Sequence, residues 1–226
     1  MAVARDEFAL LRDAAPAEVD ELLARARRRR FSAGEVVFHA GDPADTLHLV
    51  RHGRFAVRIT TEFGDVATIN VLGRGDAFGE LALLTPGVSR SATVAALEDA
   101  ETLSIHQIEF KAMRDRAPQI DRLLISLLAV QVRRLSGHLV EALYLPADTR
   151  VRRRLLDAVA AYGPVERGTV VPLTQEELAS LAGTSRATVN KVLREEQAAG
   201  TVELSRGRTT LLDPHALERR AGGAFG

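Results

Sequence analysis

The sequence predicts an α+β fold in three parts: a jelly-roll-like β-roll, one long helix, and a terminal group of short helices closed by a hairpin. Three observations predict it. From Phe31 to Leu97 the apolar residues fall in short strand-type runs, cut by Gly turns at regular spacing. From Ile120 to Tyr144 they recur at helical spacing with no proline between. From Thr174 onward come two helix-start signals, a Gly between them, and an apolar hairpin pattern. The implied boundaries are 1–117 for the roll, 118–145 for the long helix and its hinge, and 146–226 for the terminal part.

The chain has 226 residues, 46% of them hydrophobic, which suits one to three compact units with real cores. No run approaches the ~20 apolar residues of a membrane span, so no membrane partner is expected. The opening Met1–Glu7 has no apolar signal core, and cytoplasmic placement is the expectation. Cysteine is absent, which excludes disulfides, thiolate metal sites and cysteine-ligated iron–sulfur clusters. The six histidines (39, 48, 52, 106, 138, 215) form no HExxH or CxxH pattern, so no metal is expected. No nucleophile–base pair or Gly-rich triphosphate loop is present either, and a non-enzyme is expected. Net charge is zero, with 30 basic and 30 acidic residues. Residues 1–117 carry 15 basic and 18 acidic residues, and 118–226 carry 15 and 12, so the second half leans basic.

Residues 1–30 look helical, with Leu10, Leu11, Val19, Leu22 and Leu23 apolar around a break at Pro16. Arg25 and Arg27 to Arg30 form a basic run, either a phosphate-binding patch or a solvated helix end. The strand runs are Val36–Phe38, Leu47–Val50, Phe55–Ile59, Val66–Ile69 and Thr93–Leu97. Their turns are Ala33-Gly34, Gly41-Asp42-Pro43, His52-Gly53-Arg54, Phe63-Gly64-Asp65 and Gly73-Arg74-Gly75-Asp76. Ile108–Met113 begins a return to helix. Pro118 suits the first turn of the long helix. Its apolar surface is too wide for one contact: one stripe suits the roll, and the seam Leu124, Leu128, Gln131, Leu135, Ala142 suits a partner helix. A parallel two-fold homodimer is the expectation; the alternative is a helix packed wholly within its own monomer. Leu145-Pro146-Ala147-Asp148 reads as a hinge before a helix over Thr149–Ala161, whose Arg150 and Arg152 to Arg154 either meet phosphates or are solvated.

Phe78 to Val94 carries the chemistry of an anion site. Gly79 lets the backbone approach closely. The free amides at the start of Glu80–Leu84 suit an anion. Arg90 offers a planar fork for two phosphate oxygens, and Ser91 adds a hydroxyl. Glu80 suits a sugar hydroxyl at the ligand's other edge. The alternative is a loop kept for its fold, with Arg90 satisfying carbonyls or pairing with Glu80.

Thr174-Gln175-Glu176-Glu177 is a capping box, with Leu178, Leu181 and Ala182 on the apolar face. Gly183-Thr184 is a tight turn, and Ser185 caps a second helix from Arg186 to about Ala198. This is a helix-turn-helix. Its second helix turns Arg186, Ala187, Thr188, Asn190, Lys191 and Arg194 outward, a set rich in donors for phosphates and base edges. Val202–Leu204 and Thr209–Leu212 flank a tip that carries Arg206 and Arg208, which makes the domain winged. Double-stranded DNA is the expected partner.

The order Phe-Gly-Glu-Leu-Ala-Leu-Leu at 78–84, then Arg-Ser-Ala-Thr-Val at 90–94, resembles the phosphate-binding cassette of cyclic-nucleotide-binding domains. The order of roll, cassette, long helix and winged helix-turn-helix resembles the Crp-Fnr superfamily of bacterial transcription regulators, over about residues 8–220. The resemblance implies that Glu80 takes the ribose 2′-OH and that Arg90 and Ser91 take the cyclic phosphate, with Gly79 and Leu81 in the same loop. It implies that Arg186 reads a guanine, that Lys191 takes a base or phosphate, and that Thr174, Gln175, Ser185, Ala187, Thr188, Asn190, Arg206 and Arg208 lie at the DNA. RNA polymerase is implied as a further partner. Two departures stand out. Where the cAMP-responsive branch opens its recognition helix with Arg-Glu, this chain has Arg186-Ala187, so a carboxylate for a cytosine amino group is missing. Where the cAMP receptor places a Thr-Ser pair against adenine across the dimer, this chain has Leu135-Ser136, and a family Arg becomes Gln131. Phosphate and ribose recognition look intact, whereas adenine recognition does not. The effector is then cAMP, cGMP or another cyclic nucleotide; the alternative is a ligand-independent regulator of the same type with a degenerate pocket.

Overall fold

The computed structural model describes residues 8, 16–62, 64, 66–84, 87–115 and 121–222. The expectations placed on Leu10, Leu11, Phe63, Asp65, Pro118 and Ile120 fall outside them, as does the Thr85-Pro86 part of the cassette. Contacts group the chain into two compact units, Met1–Thr60 with Val71–Leu135, and Thr61–Asn70 with Ser136–Gly226.

The first unit opens with α1 (Pro16–Arg25), β1 (Arg27–Phe31), β2 (Val36–Phe38) and β3 (Thr46–His52). It continues with β4 (Phe55–Thr60), β5 (Val66–Leu72, whose first five residues group with the second unit), β6 (Ala77–Phe78) and α2 (Leu81–Leu84). Then follow β7 (Thr93–Ala96), β8 (Ala100–His106), α3 (Gln107–Arg114) and the first half of α4 (Asp121–Tyr144). The strands form two four-stranded sheets, ordered β1-β8-β3-β6 and β2-β7-β4-β5. The pairings β1·β8, β3·β8, β3·β6, β2·β7 and β4·β7 are antiparallel. This is the expected roll.

Three readings of the sequence are corrected here. Residues 27–30 are not a helix end: Arg27–Phe31 pairs with β8, from Arg27↔Ser104 to Phe31↔Ala100. An edge strand accepts charged residues because its side chains reach water while its amides join the ladder. Pro16 starts a helix rather than breaking one, since its missing N–H is one that a first turn leaves free anyway. The strands β6 and β8 were not foreseen. β8 pairs with both β1 and β3. Its polar positions Glu101, Thr102 and Ser104 hid the alternation.

Two apolar clusters fill the unit. One joins Phe31, Val50, Phe55, Leu72, Phe78, Val94, Ala96 and Ala100 between the sheets. Within it Phe55 stands edge-on to Phe31 at 5.6 Å and lies 5.2 Å from Phe78. The other joins Val19, Leu22, Leu47, Leu49, Ile105, Phe110, Met113 and Leu124 beneath α1 and α3.

Leu124 is therefore roll core and not part of a seam between helices. Ile125, Val132, Leu135, Leu139 and Leu143 remain exposed on α4. Ile125, Val132 and Leu139 are seven apart, as are Leu135 and the exposed Ala142. The apolar stripe available to a partner thus runs one residue later than expected at two of its positions: Ile125 replaces Leu124, and Val132 replaces Gln131. The Leu123 and Leu127 side chains lie outside the described ones, and Leu128 is half-buried. Among the described residues no helix is long and apolar enough to cross a membrane.

The second unit carries the other half of α4, then α5 (Ala147–Tyr162), β9 (Val170–Val171), α6 (Gln175–Ala182), α7 (Arg186–Ala198), β10 (Val202–Ser205), β11 (Arg208–Leu211) and α8 (Pro214–Arg220). The wing is three-stranded, ordered β10-β11-β9. β9 was missed because two residues carry no period.

Phe55 has no exposed surface. Phe55→Ala should lower stability by about 3–5 kcal/mol. Urea unfolding should show this as a lower midpoint at unchanged m-value.

Candidate functional site

Arg90 sits at the end of a loop pinned along its main chain. Its N–H donates to the Asp42 carbonyl at 2.8 Å, its carbonyl accepts from Gly41 N at 2.9 Å, and Ala44 N donates to the Val88 carbonyl at 3.0 Å. The Gly41-Asp42-Pro43 turn is thus a backbone partner for Val88–Arg90. That pairing needs the tertiary fold; the sequence marked the stretch only as a turn.

The Arg90 side chain is buried. Its Nη1 donates to the Thr46 carbonyl at 2.8 Å and its Nη2 to the Thr46 hydroxyl at 2.7 Å, with Asp45 Oδ1 at 3.4 Å from Nη2. The guanidinium lies over the Phe38 ring, 4.0 Å from its centroid. Burial pulls the Arg90 pKa below its ordinary value, and Asp45, Asp42 and Glu80 oppose that pull by their charge.

The Thr46 hydroxyl also lies 3.2 Å from His48 Nε2, and His48 Nδ1 lies 3.0 Å from the Thr102 hydroxyl. His48 stacks on Phe78 at 4.9 Å with ring planes 3° apart. Burial, then the charges of Arg90 and Arg29, push it down to about 3, so it is neutral at physiological pH.

One feature of this cluster fits an anionic ligand: the Arg90 Nε is buried with no partner among the described residues. Gly79 lets Arg90 and Thr46 close together, because a Cβ there would stand 2.6 Å from Arg90 Nη1 and from the Thr46 carbonyl. Gly79 and Arg90 are therefore brought together, with Glu80 half-buried and near enough to act on the Arg90 charge. Ser91 and Leu81 are exposed. Leu135 and Ser136 follow one another on α4, both exposed, and are not among the partners of Arg90. Asp45, Thr46 and His48 were missed, because the interest of an Asp-Thr pair at a strand start appears only once Arg90 lies across it.

The reading head has the expected caps. The Thr174 hydroxyl accepts from Glu177 N at 3.2 Å, and the Glu177 carboxylate accepts from Thr174 N at 2.8 Å. Gly183 ends α6 in the left-handed conformation, φ 57° and ψ 49°. The Ser185 hydroxyl accepts from Thr188 N at 3.2 Å. Leu178, Ala179 and Ala182 of α6 and Val189, Val192 and Leu193 of α7 are buried. That packing turns Arg186, Ala187, Asn190, Lys191 and Arg194 to solvent, with Thr188 and Gln175 half-buried and Thr174 exposed. Arg206 and Arg208 are exposed at the wing tip. Between wing and α7 lies a groove of about 510 Å³, lined among others by Gln175, Glu176, Arg186, Arg206 and Arg208.

The arginines at the start of α5 are not a DNA face. Arg152 and Arg154 are buried. Arg152 pairs with Glu196 at 2.6 Å and Asp148 at 3.1 Å, and Arg220 reaches Glu196 at 2.8 Å. Arg153 pairs with Glu141 at 3.0 Å, and Arg154 with Glu141 and Asp157. Arg150 donates to the carbonyls of Leu145, Ala182 and Gly183 at 2.8–3.0 Å. These cations hold the bundle together because acidic partners from α4, α5 and α7 converge on them.

Residues 28–117 match the family model of the cyclic nucleotide-binding domain, and residues 149–220 match that of the Crp-like helix-turn-helix domain. The cyclic AMP receptor protein of Thermus thermophilus is 34% identical over 209 residues, 92% of this chain and 94% of that protein. The CRP-like cAMP-activated global transcriptional regulator of Mycobacterium tuberculosis is 28% identical over 209 residues, 91% of this chain and 93% of that one. The crystal structure of a second Thermus thermophilus protein, a transcriptional regulator of the CRP family, superposes with a TM-score of 0.73 at 28% identity, over 88% of this chain and 98% of the other.

The Glu196 network has a pH signature. Burial disfavours the Glu196 carboxylate, but hydrogen bonds from Arg152, Thr201 and Arg220 outweigh it and hold the pKa below its ordinary value. A carboxylate depressed on folding stabilises above its unfolded pKa, and that contribution is lost as pH falls through the folded value. Glu196→Gln should therefore cost about 3–5 kcal/mol at pH 7, since it strands buried cations. The gap from wild type, followed by thermal melts, should close as pH falls below the ordinary carboxylate range.

Proposed function

Because the chain belongs to the Crp-Fnr family of transcription regulators, we propose that it is a homodimeric, sequence-specific DNA-binding regulator whose effector is a cyclic nucleotide held beside Arg90. The observation that carries the ligand half is the buried Arg90 guanidinium with one donor unanswered. In this reading Arg90 and Ser91 take the cyclic phosphate, with Gly79 and Leu81 shaping the loop and Glu80 accepting from the ribose 2′-hydroxyl. The names of the two relatives make cAMP the first choice, with cGMP as the alternative. Leu135 cannot hydrogen-bond a base edge, so it weakens any preference for adenine that α4 supplies, and Ser136 is left as the polar group there.

The DNA half follows from the exposed faces. The α7 residues Arg186, Thr188, Asn190 and Lys191 enter the major groove, with Ala187 against the base edges. Thr174, Gln175 and Ser185 meet the backbone, as do Arg206 and Arg208 from the wing. Two copies paired through Ile125, Val132, Leu135, Leu139 and Ala142 place two recognition helices in successive major grooves, about 34 Å apart. The effector acts by binding one dimer arrangement more tightly than another. The dimer binds its ligands without converting them, in the cytoplasm, and offers its remaining surface to RNA polymerase. A second reading, a regulator that needs no effector, draws on the contacts that Thr46 and Asp45 already make to Arg90.

Calorimetric titration of the dimer with cAMP and with cGMP should give saturable heat for at least one, and Arg90→Leu should abolish it. Absence of heat and of thermal stabilisation with both would remove the effector. Operator affinity equal with and without nucleotide would then favour the second reading. Leu139→Glu should convert the dimer to monomer in sedimentation and weaken operator binding in gel shifts at least a hundredfold, about 3 kcal/mol. A variant that still sediments as a dimer would refute the seam.

A further inference from the structure

Asp45 and Thr46 lie outside the residues given to the nucleotide, yet they hold the group on which it would rest. A guanidinium has two edges that can meet a pair of acceptors: the end edge of Nη1 and Nη2, and the side edge of Nε and Nη2. Thr46 takes the end edge with both of its oxygens, the carbonyl on Nη1 at 2.8 Å and the hydroxyl on Nη2 at 2.7 Å. The side edge is left almost free. Its Nε is buried with no partner among the described residues, and its Nη2 meets Asp45 Oδ1 at 3.4 Å, beyond the ~2.8 Å of a good charge-assisted bond.

The surroundings keep Thr46 and Arg90 in this arrangement. Phe38 lies under the guanidinium, and a Cβ on Gly79 would collide with both Nη1 and the Thr46 carbonyl. His48 and Thr102 continue the chain of contacts from the Thr46 hydroxyl into the roll. Asp45 is different. Its side chain is half exposed, its Oδ1 also accepts from the Thr46 hydroxyl at 3.1 Å, and a second basic neighbour, His106 Nε2, lies 3.6 Å from its Oδ2.

We infer that Thr46 is the positioning residue of the anion site and Asp45 its resident competitor. Thr46 commits the end edge of Arg90 to the protein, so an incoming phosphate takes the Nε–Nη2 side edge and displaces the Asp45 carboxylate from Nη2. This rests on the cyclic-nucleotide reading above. The two residues have opposite signs. Losing the Thr46 hydroxyl frees Nη2 to turn from its productive direction and weakens binding. Losing the Asp45 charge removes a rival acceptor and a like charge, and strengthens it.

The test uses the full-length dimer, titrated calorimetrically with cAMP, or with cGMP if that is the nucleotide that binds, at fixed ionic strength. Wild type is compared with Thr46→Ser, Thr46→Val and Asp45→Asn, and each is melted without ligand. The expected result is Thr46→Ser within about twofold of wild type and Thr46→Val about tenfold weaker. Asp45→Asn should bind about threefold tighter or better, the change expected when a weak, half-exposed competitor is removed. A purely structural role would not produce a gain in Asp45→Asn or a rescue by serine. Wild-type affinity in both Thr46→Val and Asp45→Asn, or weaker binding by Asp45→Asn, overturns this inference and leaves the nucleotide reading intact. No binding by wild type overturns both. Should Thr46→Val fail to fold, Asp45→Asn decides alone: tighter binding supports the inference, and equal or weaker binding overturns it.

Discussion

A cation buried in a β-roll must be answered by oxygen atoms, because moving a charge out of water costs several kcal/mol that only close partners offset. Thr46 supplies two such oxygens to Arg90. Much of the local architecture follows from that clamp. The Val88–Arg90 main chain lies against the Gly41–Ala44 turn so that the side chain enters at the right height. The residue after Phe78 has no side chain, because the clamp occupies the space a Cβ would need. Phe38 covers the guanidinium face and excludes water. The candidate anion site is therefore a property of three loops and the start of β3 acting together.

The second unit solves the same problem in another way. Its buried cations are answered by carboxylates: Glu196, itself without exposed surface, receives Arg152 and Arg220. Arg150 ties the last residue before Pro146 to the turn between α6 and α7 through carbonyls. The network orients α7 against α5, and that orientation decides which α7 side chains face outward. Arginines of one composition thus divide into two sets by burial. Those on α5 are consumed by the bundle, while those on α7 and the wing tip are exposed.

The helix α4 is apolar on more than one face for a physical reason. Leu124 belongs to the core beneath α1 and α3. Ile125, one position on and about 100° around the helix, is exposed, as are Val132 and Leu139 beyond it. A stripe of that length left to water is the kind of surface that a second copy covers.

Local residue patterns by themselves determined the class of the fold and the winged helix-turn-helix with its capping box and Gly183 turn, and they singled out Gly79 and Arg90 as candidates. Each is a local signal: a period, a cap or a residue with one special conformation. What depended on partners far away in sequence was decided by the tertiary structure. Arg27–Arg30 became a strand only because β8 pairs with it, 71 to 77 positions away. Arg152 and Arg154 became core because Glu141 and Glu196 arrive from other helices. Leu124 left the seam because one position of helical phase separates the roll from the open face. Thr46 gained its role when the fold laid Arg90 across it, 44 residues away. A sequence states which groups carry charge, but only the packed chain states which of those charges water no longer reaches.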